Sequence, residues 1–124
     1  MIQLNYRDAK PIYEQIKDGF RKLIISDSLS AHEQLPSVRE LAANLAINPN
    51  TIQHAYRDLE SAGYIYTVGG KGTFVAERQE VYGTREKELW EEFDEIVEEL
   101  RYLSVPKKEL VARIDSLTEG GTRT

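Results

Sequence analysis

Asn48, Asn50, Thr51, Gln53 and His54 crowd the stretch INPNTIQHAYRDLE, residues Ile47 to Glu60, just before and inside an apolar helical pattern. Amides and hydroxyls at a helix start have two uses. They cap free backbone N–H groups, or they point outward with a donor and an acceptor side by side and read a partner. The chain offers little for catalysis. Its hydroxyls and carboxylates form no nucleophile–base arrangement, and His32 falls in a loop without an evident partner. There is no Cys, so thiol nucleophiles, disulfides and iron–sulfur clusters are excluded. His54 and Asp58 share the four-residue spacing that can seed a metal site, but two histidines and no Cys make a poor ligand set. Gly69-Gly70-Lys71-Gly72 fails as a phosphate loop. Gly72 stands where Ser or Thr must follow the lysine, and Ile65 stands where the first glycine belongs. Neither an enzyme nor a cofactor is expected.

The elements that must carry these residues follow from periodicity. Lys10 to Ile25 reads as a helix with Pro11 in its first turn and Ile12, Ile16, Phe20, Leu23 and Ile24 on one stripe. Ser37 and Glu40 stand in the capping-box relation ahead of Leu41 and Leu45, and that short helix runs out near Ala46. Asn48 can cap again with Pro49 at the first helical position. The next helix carries Ile52, Ala55, Tyr56 and Leu59 on one stripe and stops at Gly63. Two short helices joined this closely make a helix-turn-helix unit. Two β-favouring runs, Tyr64–Val68 and Thr73–Ala76, then flank a glycine-rich tip and predict a hairpin. The order is that of a winged helix. From Thr84 to Leu103, Leu89, Phe93, Ile96, Leu100 and Leu103 repeat in heptad rhythm. Val105-Pro106 breaks it, and Leu110, Val111, Ile114 and Leu117 form a second stripe. The end, Glu119 to Thr124, is expected to be disordered.

The fold class expected is mainly α with a small β-hairpin: a winged helix-turn-helix followed by a two-helix tail. Hydrophobic residues make up 40% of 124 residues, enough for a packed core. No stretch is apolar enough for a signal peptide or a bilayer span, so a soluble cytoplasmic protein without a membrane partner is expected. The net charge of −5 is uneven. Residues 1–79 hold nine Lys/Arg and nine Asp/Glu; residues 80–124 hold seven and twelve, and so carry the whole excess. Overall acidity argues mildly against nucleic acid, but only one segment is acidic. The composition shift near Glu77–Gly83 suggests two domains, 1–79 and 80–124.

LPSVRELAANLAINPNTIQHAYRDLESAGYI followed by GGKGTFV resembles the DNA-binding domain of GntR-type bacterial transcription regulators, over about Pro11 to Val75. The short helical tail resembles the YtrA-like branch, whose members dimerise through two C-terminal helices. The family usually has Gly at the positions of Asp27 and His32. Gly there suggests positive φ, which Asp and His tolerate better than most residues, so a modest stability cost and an unchanged fold are expected.

The resemblance implies a homodimeric regulator, a repressor, that binds double-stranded DNA at a pseudo-palindromic operator. The helix from Pro49 to Ala62 would lie in the major groove. Asn50, Gln53 and His54 would then read bases, amides suiting adenine, while Thr51 touches a phosphate or a thymine methyl group. Arg39 would reach DNA, often a guanine, with Ser37 and the open helix start on a phosphate; an ion pair with Glu40 or a neighbouring acid is the alternative. Arg57 belongs to the same surface. Lys71, Gly72 and Thr73 at the wing tip would meet a phosphate or the minor groove. The acidic run from Glu86 to Glu99 would turn away from DNA. Leu89, Trp90, Phe93, Ile96, Val97, Leu100, Leu110, Ile114 and Leu117 would form a core shared between two chains, because two helices alone bury too little. A small-molecule effector, if the protein takes one, is expected at the dimer interface or between reading head and tail. The rival reading, a winged helix that binds protein instead, is disfavoured by the cluster of Arg39, Asn50, Gln53 and Lys71.

Overall fold

The computed structural model describes residues 2–119. Its elements run α1 (Ile12–Ile25), α2 (Val38–Leu45), α3 (Pro49–Ala62), β1 (Ile65–Val68), β2 (Gly72–Val75), α4 (Arg78–Tyr102) and α5 (Lys107–Glu119). The chain separates into two compact units, Met1–Arg85 and Glu86–Thr124.

The first unit is the winged helix expected. Ile16, Phe20 and Ile24 of α1, Leu41 and Ala42 of α2, and Ile52, Ala55, Tyr56 and Leu59 of α3 converge in one core, closed below by Tyr64, Ile65 and Val75. Each Val, Leu, Ile or Phe among them contributes about 1.5–3 kcal/mol on full burial, so this core, rather than a hairpin of four-residue strands, stabilises the unit. Pro11 sits at the N-cap of α1 (φ −56, ψ 152), one position ahead of the expected first turn. The extended ψ follows from its place outside the helix.

β1 and β2 pair antiparallel, with Ile65 opposite Val75 and Val68 opposite Gly72. Against β2 lies a third, irregular edge that the sequence pattern does not announce. His32 N–H donates to Val75 O at 2.7 Å, Val75 N–H to Glu33 O at 2.9 Å, and Leu35 N–H to Thr73 O at 2.8 Å. Asp27 and His32 hold the positive φ expected of them, 65° and 66°.

α4 begins at Arg78, six residues before the expected Thr84. Val81, in this added turn, is 2% exposed and packs into the winged-helix core. The start of α4 thus belongs to the first unit, which continues to Arg85.

The second unit consists of the rest of α4 and α5. Its apolar residues find little cover: α5 buries none of its side chains, and Leu89, Trp90, Phe93, Ile96, Ile114 and Leu117 are all exposed. Glu119 closes α5 and is helical, contrary to the expectation of disorder there. The remainder of that expectation, 120–124, lies outside the described residues.

Candidate nucleic-acid interface

The start of α2 is built as its S-x-x-E pattern dictates. Glu40 N–H donates to Ser37 Oγ at 3.0 Å and Ser37 N–H donates to Glu40 Oε1 at 3.0 Å. The box occupies the Glu40 carboxylate. Arg39, one residue earlier, is exposed and forms no ion pair among the described residues, so the alternative partnership with Glu40 does not occur.

The polar start of α3 divides its labour. Asn48 caps: its side-chain oxygen accepts from Asn50 N–H at 2.8 Å, with Pro49 at the first helical position. The side chains of Asn50, Gln53 and Arg57 are exposed, on the side of α3 away from the buried stripe. Thr51 is half-buried.

His54 is held more closely than its neighbours. Its ring stacks on Tyr13 of α1 with centroids 3.8 Å apart and planes 12° apart. Its Nε2 lies 3.7 Å from Asp58 Oδ2, and Lys17 Nζ reaches the same carboxylate oxygen at 4.0 Å. The four-residue pair considered as a metal seed is a side-chain contact beside the α1–α3 packing, its carboxylate shared with Lys17.

Tyr56 joins α3 to the α2 start. Its Oη donates to Pro36 O at 2.8 Å, next to the capping serine. Burial pushes the phenol pKa up, and the negative charge of Glu40 pushes it further. The group stays a donor throughout the ordinary pH range.

At the wing tip, Lys71 N–H donates to Val68 O at 2.9 Å, closing a tight turn. Gly70 and Gly72 have φ of 76° and 126°. A Cβ at Gly72 would come within 2.5 Å of Gln34 Nε2. That amide donates to Lys71 O at 3.1 Å, while the lysine side chain is exposed. Thr73 is half-buried, its Oγ1 3.4 Å from Thr67 Oγ1, which donates to Glu60 at 3.2 Å. Gln34, three residues before Ser37, thus ties the wing to the approach of α2.

Ser37, Arg39, Asn50, Gln53, Arg57 and Lys71 are therefore exposed on three elements linked through Gln34, Leu35 and Tyr56. Gly72 and Thr73 serve the wing's geometry, and His54 is partly engaged within the fold. Sequence reasoning missed Gln34 and the partners of His32, whose ring contacts Tyr66 Oη at 2.8 Å and Glu77 Oε1 at 3.3 Å. A glutamine ahead of a hairpin it must reach carries no periodic signal. In the tail, Leu89, Trp90, Phe93 and Ile114 with Glu86 line a groove of about 450 Å³; Val97, Leu100 and Leu110 are half-buried.

Residues 12–75 match the family described as bacterial regulatory proteins, gntR family. The transcriptional regulator YhcF of Bacillus subtilis is 38% identical over 117 residues, 94% of this chain and 97% of that protein. The transcriptional repressor YtrA of the same organism is 44% identical over 77 residues, 62% of this chain and 59% of YtrA. The DNA-binding domain of AraR, solved in complex with operator ORR3, superposes with a TM-score of 0.53 at 32% identity, over 60% of this chain and 89% of that domain. With its winged helix and exposed polar helix face, the chain belongs to the gntR family of bacterial regulatory proteins and is a DNA-binding transcription regulator.

Proposed function

We propose that the protein is a homodimeric repressor that occludes a promoter by binding a pseudo-palindromic operator, one reading head per subunit. The observation that carries this is the set of exposed cations Arg39, Arg57 and Lys71, which make no ion pair among the described residues, beside the exposed amides of Asn50 and Gln53. Long charged side chains left without internal partners are available to phosphates and guanine, and the amides to adenine. In this reading α3 enters the major groove. Asn50 and Gln53 meet base edges, Arg39 and Arg57 meet backbone or guanine, Ser37 and Thr51 meet phosphates, and Lys71, Gly72 and Thr73 bring the wing to the adjacent groove. His54 lies at the border of this surface, its ring backed by Tyr13.

The tail supports dimerisation. Trp90 is 55% exposed and Ile96 58%, beside Leu89, Phe93, Ile114 and Leu117. So many exposed large apolar side chains, four of them lining one groove, favour an interface, and a second copy would supply a matching one. The similarity to YtrA, a repressor, favours repression over activation.

Selection of binding sites from a random DNA pool tests the reading, with Gln53→Ala run in parallel. An inverted repeat is expected, and the variant should lose preference at one symmetric pair of positions. Enrichment of no motif at low salt overturns operator reading by this surface.

A further inference from the structure

Asp27 and His32 both hold left-handed backbone, φ 65° and 66°, where a side chain is disfavoured and glycine is not. Both side chains end on the root of α4, at adjacent residues. Asp27 Oδ2 lies 2.6 Å from Arg78 Nη2. Arg78 Nη1 in turn donates to Tyr82 Oη at 2.7 Å, one turn further along α4. His32 Nε2 lies 3.3 Å from Glu77 Oε1, and its Nδ1 lies 2.8 Å from Tyr66 Oη. The tautomer protonated at Nε2 satisfies both contacts, donating to the carboxylate and accepting from the phenol. Tyr66 stacks on Phe74 across the hairpin with centroids 5.6 Å apart. The turn after α1 and the wing are thus each tied to the residues where α4 begins, while Val81 plugs the core one turn later.

Turning the chain does not require these side chains, since glycine makes both turns at lower conformational cost. What the side chains add is the pair of contacts to Glu77 and Arg78. From Arg78 the helix runs unbroken to Tyr102, carrying Leu89, Trp90, Phe93 and Ile96.

We infer that Asp27 and His32 are positioning residues for operator recognition: they clamp the root of α4 to the reading head and so set the half-site spacing that the dimer accepts. This rests on the dimeric reading above. Half-site separation in a dimeric reader mirrors the geometry of its two heads. A head fixed on its helix is pre-organised for one separation, whereas a loosened head tolerates several and binds the right one less well.

The test uses the full chain and two double variants that break the clamp from opposite sides. Asp27→Gly with His32→Gly removes the strain and the clamp. Glu77→Ala with Arg78→Ala removes the clamp and leaves the strain. Affinity is measured for a single half-site and for inverted repeats at the selected spacing, one base pair longer and one shorter, with sedimentation of each protein. Both variants should keep half-site affinity and dimeric mass. Their preference for the selected spacing should shrink about fivefold, the scale that one exposed ion pair and one exposed hydrogen bond reach together. A role confined to the turn predicts instead that the glycine variant is more stable and both variants keep the wild-type preference, and that result overturns the clamp. A wild-type protein indifferent to spacing overturns it as well. Sedimentation then assigns the failure: a monomeric mass faults the dimeric reading, and a dimeric mass faults the clamp alone.

Discussion

The phenol of Tyr56, on the buried side of α3, donates a 2.8 Å hydrogen bond to the carbonyl oxygen of Pro36, one residue before the cap of α2. One bond therefore ties the helix that bears Asn50 and Gln53 to the loop that leads into Arg39. The proposed reading surface thus rests on a contact made within the fold.

Tyr56→Phe should cost about 1–2 kcal/mol at neutral pH, because the Pro36 carbonyl loses its donor in a part-buried position. Denaturant unfolding measures it. The pH dependence has a definite sign. Burial raises the folded-state pKa above the ordinary 10.0, so the folded chain holds this proton more tightly than the unfolded chain. The contribution is complete below about pH 10 and declines as pH rises beyond it. The phenylalanine variant should lack that share of the alkaline decline.

Ala46 ends α2 in the left-handed region at φ 55°. Alanine there costs about 1–2 kcal/mol that glycine avoids, against roughly 0.4–1 kcal/mol of extra freedom glycine gives the unfolded chain. Ala46→Gly should therefore raise stability by roughly 0.5–1 kcal/mol. Thermal unfolding that shows a lower midpoint for the variant contradicts the cap geometry.

Ile96 is 58% exposed on α4. A charge there leaves the winged helix untouched and places a carboxylate in the apolar face proposed as the dimer interface. Ile96→Glu should sediment as a monomer, keep its half-site affinity, and lose at least about tenfold in affinity for the inverted repeat. A variant that stays dimeric would move the interface elsewhere.

Between Pro36 and Arg57 the only formal charges are Arg39, Glu40 and Arg57, and the wing adds Lys71. With three cations per subunit, the plot of log affinity against log salt should have a slope no steeper than about −5 for the dimer. A slope near −9, typical of ten phosphate contacts, would mean that cations outside this surface reach the DNA.

Local signals proved readable wherever one residue type serves one local need. Ser37 with Glu40 announced the capping box, Asn48-Pro49 the start of α3, and Gly63 its left-handed stop, observed at φ 96°. The stripe Ile52, Ala55, Tyr56 and Leu59 is the buried face of α3. The misses share a different cause. The edge at residues 32–35 pairs with β2 through backbone atoms, which no side-chain pattern reports. The early start of α4 goes with Val81 in the core and with side-chain contacts at Glu77 and Arg78, too few and too scattered for a period to register. The stack of His54 on Tyr13 exists only because α1 crosses α3, and Ala46 gives no hint of left-handed backbone. The roles of individual side chains at the DNA remained beyond reach for the same reason: an exposed amide looks alike whether it meets a base, a phosphate or water.

On α3 the buried stripe of Ile52, Ala55, Tyr56 and Leu59 shares no position with the outward set of Asn50, Gln53 and Arg57. The two sets are independently mutable. Under the proposed reading, a lineage can rewrite the outward letters, and with them the address the protein recognises, while the inward letters keep the helix seated throughout. Drift toward a new target then needs no unstable intermediate, which leaves duplicated copies of such a chain free to diverge in what they control.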